Sequence, residues 1–421
     1  MPGLWISSQS NNILFDFMLQ RLLAYVGPDI AQRLAVSFSV LVFGWGSLLF
    51  IFRVAGRNWW FAAPCIAMLA YGFVFHMGFF NFYLSIGLCL WYLAIFWDKR
   101  RGIRALAAPL LILAWLAHPF PVVWAIATAA YIAVAEAVQP PRRFLFLILG
   151  LAALVGVRYV LIYRYAYSWS PRQVFFVTGA NQLELFGLKY IAPFAGLLFL
   201  WLILLRKLIK RVGLLDLMLA IPFQLWILNA AAVLLIPERI LFPQFGLPFG
   251  FVTDRLSLAT AMMMCAVLAA APITRFEKLV LAAVAVLFFG LVYADNRELN
   301  RLEDRLDAAV AQLPPAQRVI SSLPSQSLYS LCFQHNLDRA CIGHCFSYAN
   351  YEPSSRQFRI HARPGNGIVL DNYADVDSVA NGTYVVQPRD LPLYLVYLCG
   401  QDSRDVCSRP LHAGEPVRKE N

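Results

Sequence analysis

The stretch Tyr71–Trp97 reads YGFVFHMGFFNFYLSIGLCLWYLAIFW and decides the fold. It is aromatic throughout and carries no Asp, Glu, Lys or Arg. One polar cluster, His76–Asn81, separates the apolar runs 60–75 and 82–96. Each run is close to the roughly 20 residues that cross a bilayer core, and the polar cluster is too short to hold a domain. The pattern predicts a helical hairpin in a membrane.

Two residues of the polar cluster supply the chemistry of a chain reversal. Gly78 has no Cβ, so it can adopt the backbone conformations that a tight turn requires. Asn81 is of a residue type preferred at helix N-caps. We therefore expect the turn at Gly78 and an N-cap at Asn81.

Composition extends this interpretation to most of the chain. Hydrophobic residues make up 60% of the sequence and charged residues 14%, with a mean hydropathy of +0.61. Soluble domains carry roughly 25% charged residues, so a soluble protein is excluded and a multi-span membrane protein is predicted. The net charge of +11 lies largely in short loops. It indicates membrane topology and argues against a nucleic-acid partner.

Three segments are expected along the chain. Residues 1–30 have apolar residues at helical spacing and predict an amphipathic helix on the membrane surface. Residues 31–295 form the transmembrane helical domain, and residues 296–421 form a small domain outside the membrane. Ten spans are predicted, at 34–52, 59–75, 82–97, 105–117, 122–138, 144–162, 188–205, 214–235, 256–271 and 277–293. The pair flanking His118–Pro121 is alternatively one broken or re-entrant element, because two prolines interrupt it.

The loops between these spans predict orientation. Five loops on one side carry fourteen Lys and Arg, whereas the four loops on the other side carry four. By the positive-inside rule the first side is cytoplasmic. The sequence thus predicts a bacterial inner-membrane protein with both termini in the periplasm.

The C-terminal segment has a different composition and five of the eight cysteines. A charged helix is predicted over Asn296–Gln312, followed by strands at 318–321, 367–370, 383–387 and 393–398, which together indicate a small α/β domain. An oxidising periplasm favours disulfides. We expect Cys399 to pair with Cys407, and Cys332 to pair with Cys341 or Cys345. The CIGHC motif lacks the spacing of a zinc site, so no metal ligand is assigned.

Polar side chains at the predicted outer face are the functional candidates, because ionisable groups at membrane depth are costly and are usually functional. Taken singly, they are equally explained as helix-end caps or interfacial ion pairs. Taken together, they predict an outward cavity in which cations bind phosphate and a carboxylate acts as a base. The group comprises Asp16, His76, His118, Arg164, Glu184, Glu238, Arg239, Asp254 and Arg255.

Several of these landmarks resemble the GT-C superfamily of polytopic glycosyltransferases. The resemblance rests on HMGFFNFYLSIG at 76–87, the paired elements around His118, VTDRLSL at 252–258 and NRELNRLEDRL at 296–306. It implies transfer of a sugar from a polyprenyl-phosphate donor to a lipid, glycan or protein acceptor at the outer face. It also implies that membrane lipid and this donor are partners. The implied substrate-binding residues are His76, His118, Arg164, Glu238, Asp254 and Arg255.

The chain departs from that superfamily at its start. The acidic first outer loop is absent, and Asp16 is the only carboxylate before Asp29, so Asp16 is a weak candidate for the catalytic base. We expect either missing upstream residues or a degenerate member. No cofactor follows from the residues, and a divalent metal is left open. The alternative function is a non-catalytic membrane scaffold or binding protein whose periplasmic domain engages a partner.

Overall fold

A computed structural model describes residues 3–56, 62–98, 100–322, 335–399 and 405–418. The chain divides into two compact units. The first, which we call the helical unit, comprises Gln9–Ile240 and Gly250–Phe289. The second, which we call the C-terminal unit, comprises Met1–Ser8, Leu241–Phe249 and Gly290–Asn421. The sequence predicted two boundaries, after residues 30 and 295, and so assigned residues 1–8 and 241–249 to other segments.

The helices of the helical unit follow one another with short connections. They are α1 (Leu14–Leu23), α2 (Pro28–Ala55), α3 (Ala62–Ala70), α4 (Phe73–His76), α5 (Phe80–Phe96), α6 (Arg101–Leu106), α7 (Ala108–Ala117), α8 (Pro119–Ala137), α9 (Pro140–Arg164), α10 (Ile191–Val212), α11 (Leu214–Leu219), α12 (Ile221–Leu235), α13 (Val252–Leu268) and α14 (Arg275–Ala311). Helix α14 continues past Phe289 into residues of the C-terminal unit. The predicted charged helix at 296 is therefore the end of a longer helix.

Within the described residues, five helices are long and apolar enough to cross a membrane: Pro28–Ala55, Pro119–Ala137, Pro140–Arg164, Leu188–Val212 and Arg275–Ala311. Shorter apolar helices cover Ala62–His76, Phe80–Phe96, Gly102–Ala117 and Ile221–Leu235. These helices are typical of a membrane protein. The count of ten spans stays a prediction, because several predicted spans coincide with helices shorter than the roughly 20 residues of a full crossing.

At the predicted hairpin, two helices, α3 and α4, precede the turn in place of the single helix expected at 60–75, and α5 follows it. The turn itself differs from the prediction in one respect. Gly78 has φ +71°, the left-handed conformation that favours glycine. Asn81 does not cap α5, which begins one residue before it. Its side-chain oxygen instead accepts a hydrogen bond from Phe15 N at 3.0 Å, and its amide donates to Asn12 O at 3.3 Å. Asn81 thus joins α1 to α5, which sequence-local capping rules do not anticipate.

Helices α2 and α5 approach each other closely through two glycines. A Cβ at Gly87 would lie 2.9 Å from Phe43 N, and a Cβ at Gly46 would lie 2.7 Å from Gly87 O. Trp91 Nε1 donates to Val42 O at 3.0 Å across the same contact. Small residues allow backbones to pack closely in membrane helices, where burial of apolar surface from water supplies little driving force. These glycines therefore set the distance between the two helices.

Helices α7 and α8 are separated by a single non-helical residue, His118. Its backbone is extended, and Phe120 N donates to its Nδ1 at 3.1 Å, so the imidazole caps α8. Pro119 occupies the first turn of α8, where a missing N–H costs no helical hydrogen bond. The break predicted here exists, and His118 causes it together with the prolines.

Strands are numbered in chain order, and β2 (Ala166–Ser168) and β3 (Arg239–Leu241) pair in a two-stranded sheet. The C-terminal unit contains a four-stranded sheet formed by β4 (Arg318–Ser321), β5 (Phe346–Ser347), β7 (Leu393–Cys399) and β8 (Asp405–Leu411), in the order β5-β4-β7-β8. Strand β4 is parallel to β5 and β7, and β8 is antiparallel to β7. Helices α15 (Tyr351–Ser355) and α16 (Tyr373–Ala380) belong to the same unit. The strands predicted at 367–370 and 383–387 are wrong. Residues 367–370 form bends, and 383–387 contributes one isolated bridge, Val385 to Pro416.

A second, two-stranded sheet links the chain start to this unit. Strand β1 (Leu4–Ile6) pairs antiparallel with β6 (Ile360–Ala362), and Trp5 stacks on His361 with ring centroids 4.5 Å apart. The predicted N-terminal segment 1–30 thus has two parts. Its first residues form a strand of the C-terminal unit, and its surface-type helix is α1.

Two disulfides lie in the C-terminal unit. Cys399 pairs with Cys407 as expected, with Cα atoms 5.9 Å apart. Cys341 pairs with Cys345, with Cα atoms 4.5 Å apart, so the expected pairing of either with Cys332 is wrong. Residues 341–344 form a turn in which Cys345 N donates a hydrogen bond to Cys341 O at 3.0 Å, which explains the local pairing. Cys332 itself lies outside the described residues.

Candidate functional site

Helix α13 carries the candidate site at its N-terminal end. Phe251, the residue before it, has φ +56°, and every residue of α13 except Arg255 is buried. A helix buried on all faces lies inside a bundle, so polar residues on it must find partners within the protein. Asp254 and Arg255 lie in its first turn. We call the surroundings of these two residues the α13 site.

Asn181, Gln182 and Ser257 form a hydrogen-bonded cluster that we call the polar clamp. Gln182 Nε2 donates to Asp254 O and to Ser257 Oγ, both at 2.8 Å. Asn181 Nδ2 donates to Ser257 Oγ at 3.0 Å, and Val74 N donates to Gln182 Oε1 at 3.2 Å. The clamp ties the first turn of α13 to the loop before α10 and to α4. The clamp thereby fixes the backbone of the first turn of α13, which carries Asp254 and Arg255.

Asp254 is buried, with 7% of its surface exposed. Within the described part of the chain, its Oδ2 is buried without a hydrogen-bond partner, as is Oγ1 of the neighbouring Thr253. Asp254 interacts electrostatically with Glu238, Arg172 and Arg255, so these four charges form one local group. A buried carboxylate oxygen without a donor is costly, and such groups in native proteins call for an explanation.

The guanidinium of Arg255 lies on an aromatic platform. Its Cζ is 4.1 Å from the ring centroid of Phe79 and 5.6 Å from that of Phe82. Cation–π contact stabilises the positive charge of Arg255 on the aromatic faces of these two rings. Phe251 packs against Phe79 with ring centroids 5.8 Å apart, so the residue before α13 supports the platform.

His118 belongs to the same site through Phe82. The two rings meet edge to face at 5.6 Å, and Arg255 acts electrostatically on the imidazole. Because Nδ1 accepts the Phe120 N–H, the ring proton of the neutral imidazole is assigned to Nε2. His118 therefore serves as a helix cap, which is one of its two sequence-based interpretations. Its role in substrate binding stays a prediction.

The remaining candidates differ in their relation to this site. Glu238 accepts a main-chain hydrogen bond from Val252 N at 3.1 Å and acts electrostatically on Asp254, so it borders the site. His76 ends α4 and packs edge to face on Phe186 at 5.1 Å. Arg164 is exposed at the end of α9, and Asp16 is exposed on α1. The contacts that define the site do not include Arg164 or Asp16.

Several residues of the site were not identified from the sequence. Arg172 forms an ion pair with Glu184 at 3.0 Å and acts electrostatically on Asp254. Gln182 and Ser257 orient the backbone, and Phe79 and Phe82 hold Arg255. The sequence did contain one sign of the polar clamp, which is the pair of polar residues Asn181 and Gln182 in an otherwise apolar loop. Its partner on α13 is more than seventy residues away in sequence, so spacing alone does not reveal it.

The C-terminal unit offers a contrasting buried carboxylate. Asp390 is fully buried and accepts hydrogen bonds of 2.7 Å from Tyr348 Oη, Tyr384 Oη and Gln387 N. Burial, together with this shared carboxylate, raises the pKa of both tyrosines. Every donor here has its acceptor, so Asp390 is a structural group. Asp254 differs because one of its oxygens lacks such a donor in the described residues.

The described residues contain no group of three or more His, Cys, Asp and Glu side chains arranged for a metal ion. The two CIGHC thiols are joined in a disulfide. Comparisons of the chain with protein-family models, with curated proteins and with solved structures find no match. The geometry of the α13 site is therefore the basis on which a function is proposed.

Proposed function

We propose that the helical unit is an integral membrane glycosyltransferase of the GT-C type, with the α13 site as its active site. The observation that carries the proposal is the juxtaposition in the first turn of α13. A buried carboxylate oxygen of Asp254 has no donor in the described residues, and the next residue, Arg255, holds its guanidinium on Phe79. A base beside an anion-binding cation is the pair that transfer from a phosphate-linked donor requires.

The reaction follows from these roles. Asp254 Oδ2 accepts the proton of the acceptor hydroxyl as its oxygen attacks the anomeric carbon of the sugar. The bond between that carbon and the phosphate oxygen breaks, and the electron pair leaves with the polyprenyl phosphate. Arg255 stabilises the charge on the departing phosphate, and His118 donates to it from Nε2. In this scheme Asp254 takes the role for which Asp16 was the weak candidate from the resemblance.

The same proposal includes the membrane arrangement. We place ten spans in a bacterial inner membrane, with the α13 site and both termini on the periplasmic side. Support comes from the fourteen Lys and Arg in alternate loops against four in the others. The five long apolar helices and the shorter ones are the candidates for those spans. A polyprenyl-phosphate sugar would reach the site from the outer leaflet.

A second candidate function is a binding or scaffold role for the C-terminal unit. The observation that favours it is the completeness of that unit, which has its own sheet, its own core around Ile320 and Leu395, and two disulfides. Disulfides persist outside reducing compartments, so this unit is suited to bind a partner there. In this alternative the α13 site is a packing feature of the helical unit and has no substrate.

The test is a transfer assay on the full chain in neutral detergent with a panel of polyprenyl-phosphate sugars. Release of polyprenyl phosphate is followed by mass spectrometry. We expect Asp254→Asn to lower the rate about 10²-fold or more while donor binding is kept, because only proton transfer is lost. Arg255→Ala should weaken donor binding and abolish transfer.

Matched controls separate chemistry from folding. Asp16→Asn and Arg164→Ala change a carboxylate and an arginine that are exposed and outside the site, so both should leave the rate unchanged. Elution on size-exclusion chromatography should match the parent for all four variants. Full transfer by Asp254→Asn would refute the proposed base. Absence of both turnover and donor binding across the panel would favour the scaffold alternative.

A further inference from the structure

A pocket lies at the opposite end of α10 from the loop that carries the polar clamp. It has a volume of about 360 Å³ and is lined by Lys207, Lys210, Arg211, Pro272, Ile273 and Thr274. The first three residues form the last turns of α10, and the others connect α13 to α14. Ligand pockets generally measure about 300–1,000 Å³, so this one can hold a small polar group. None of its residues takes part in the α13 site.

The pocket carries an excess of positive charge. Lys207 Nζ forms an ion pair with Glu277 Oε1 at 2.5 Å. The other oxygen of Glu277 accepts from Thr274 N at 2.8 Å and from Thr274 Oγ1 at 2.9 Å, so this carboxylate is already fully used. Arg211 donates one hydrogen bond to Ala270 O at 3.4 Å. The charges of Lys210 and Arg211 are therefore not balanced by Glu277, and the pocket attracts an anion.

Apolar side chains beside the pocket in sequence are exposed. Phe276 and Leu279 on the first turns of α14 are 74% and 68% exposed, and Leu215 at the start of α11 is 71% exposed. Exposed apolar side chains of this kind mark a surface that fits a membrane or another apolar partner. A phosphate in the pocket and hydrocarbon along these side chains together match one ligand class. That class is a lipid whose headgroup carries a phosphate.

We propose that this pocket binds the phosphate of an anionic membrane lipid. Lys210 and Arg211 contact the phosphate oxygens, and the acyl chains lie along Phe276 and Leu279. Basic pockets between membrane helices bind anionic headgroups by this combination of charge and apolar contact. The loops around the pocket belong to the strongly basic set, which agrees with a leaflet rich in anionic lipid. The inference is independent of the sugar-transfer proposal, because no residue is shared.

The experiment measures lipid binding to the full chain in neutral detergent by native mass spectrometry. The probes are phosphatidylglycerol, phosphatidylcholine and inorganic phosphate. We expect phosphatidylglycerol to bind at least 10-fold more tightly than phosphatidylcholine, and the double variant Lys210→Gln/Arg211→Gln to lose that preference. Arg206→Gln, an exposed arginine of the same helix that does not line the pocket, should retain it.

Three results would overturn the proposal. Equal binding of the two lipids would show that charge is not recognised. Inorganic phosphate competing as well as phosphatidylglycerol would assign the pocket to a soluble anion. Retention of the preference by the double variant would place the lipid elsewhere. If the double variant does not fold, Lys210→Glu alone must reduce phosphatidylglycerol binding, since Lys210 is exposed and its reversal leaves the Lys207–Glu277 pair intact.

Discussion

At the scale of single residues, Gly179 determines how closely the polar clamp approaches α13. Its φ is +80°, and a Cβ there would lie 2.4 Å from Ser257 O and 2.5 Å from Ala261 N. Gly179→Ala therefore combines a left-handed backbone with a steric clash. We expect a loss of about 2–4 kcal/mol in unfolding free energy. Thermal unfolding in detergent measures it, and donor binding at the α13 site should weaken in parallel.

Gly156→Ala is the matched control for this substitution. Gly156 lies inside α9, and a Cβ there would meet nothing within 4 Å. Alanine is a better helix former than glycine by about 1 kcal/mol, so stability should stay equal or rise slightly. If the two variants unfold at the same temperature, the close approach at Gly179 does not constrain the loop, and the polar clamp does not hold α13 in place.

Residue-scale prediction from the sequence named most of the charged residues of the α13 site as candidates, but it missed Arg172 and the uncharged supports. Asp254, Arg255 and His118 were identified because charges and imidazoles are rare in apolar surroundings. Gln182 and Phe79 were not, since a glutamine in a loop and a phenylalanine in a membrane segment are ordinary residues. Their roles depend on contacts with α13, which exist only once the chain has folded.

At the scale of elements, Asn81 joins the surface-type helix α1 to α5. Its two hydrogen bonds reach Phe15 N and Asn12 O, and the Phe15 ring stacks on Phe80 at 5.1 Å. Asn81→Ala removes both bonds, each contributing about 0.5–1.5 kcal/mol. We expect faster hydrogen–deuterium exchange across α1 with the exchange of α5 unchanged. Gln20→Ala, at an exposed position of α1, should leave the hydrogen–deuterium exchange of α1 as in the parent. If both variants speed the exchange of α1 equally, Asn81 is not the residue that joins α1 to α5.

The α2–α5 contact gives a second element-scale prediction. A Cβ at Gly87 would meet Phe43 N and Cα at 2.9 Å, both backbone atoms that cannot rotate away. Gly87→Ala should separate the two helices and cost about 1–3 kcal/mol, as overpacking in a tight core does. The measurement is thermal unfolding in detergent. Gly44→Ala on α2, where nothing lies within 4 Å of the added Cβ, is the control and should not destabilise the protein. A similar loss there would mean that any Gly→Ala change destabilises these helices, whether or not the glycine is in close contact.

Elements were predicted where periodicity or hydropathy is strong. Long apolar runs gave the helices, because a membrane helix satisfies its backbone within one segment and needs no distant partner. Strands did not follow the same rule. The β-type run at 383–387 forms one bridge, whereas Leu4–Ile6, with no strand signal, pairs with 360–362. A strand exists only if a partner edge is present, and that edge lies far away in sequence.

At the scale of the whole molecule, the two units divide the seven described cysteines by redox state. Cys65, Cys89 and Cys265 in the helical unit are buried free thiols. Cys341–Cys345 and Cys399–Cys407 in the C-terminal unit are disulfides. Disulfides persist in an oxidising periplasm and are rare in the cytosol. The oxidation state of these four cysteines in cells therefore reports on which side of the membrane the C-terminal unit lies.

We predict the labelling pattern of a Cys332→Ser variant, which retains seven cysteines. Cells are quenched in acid, denatured and treated with a maleimide polymer before or after reduction. A periplasmic C-terminal unit gives three labels before reduction, on the free thiols, and seven after it. Adding Cys399→Ser should raise the first number to four, because Cys407 loses its partner. Seven labels without reduction would place the unit in the cytosol, and the α13 site, proposed for the same side, would then face away from outer-leaflet donors.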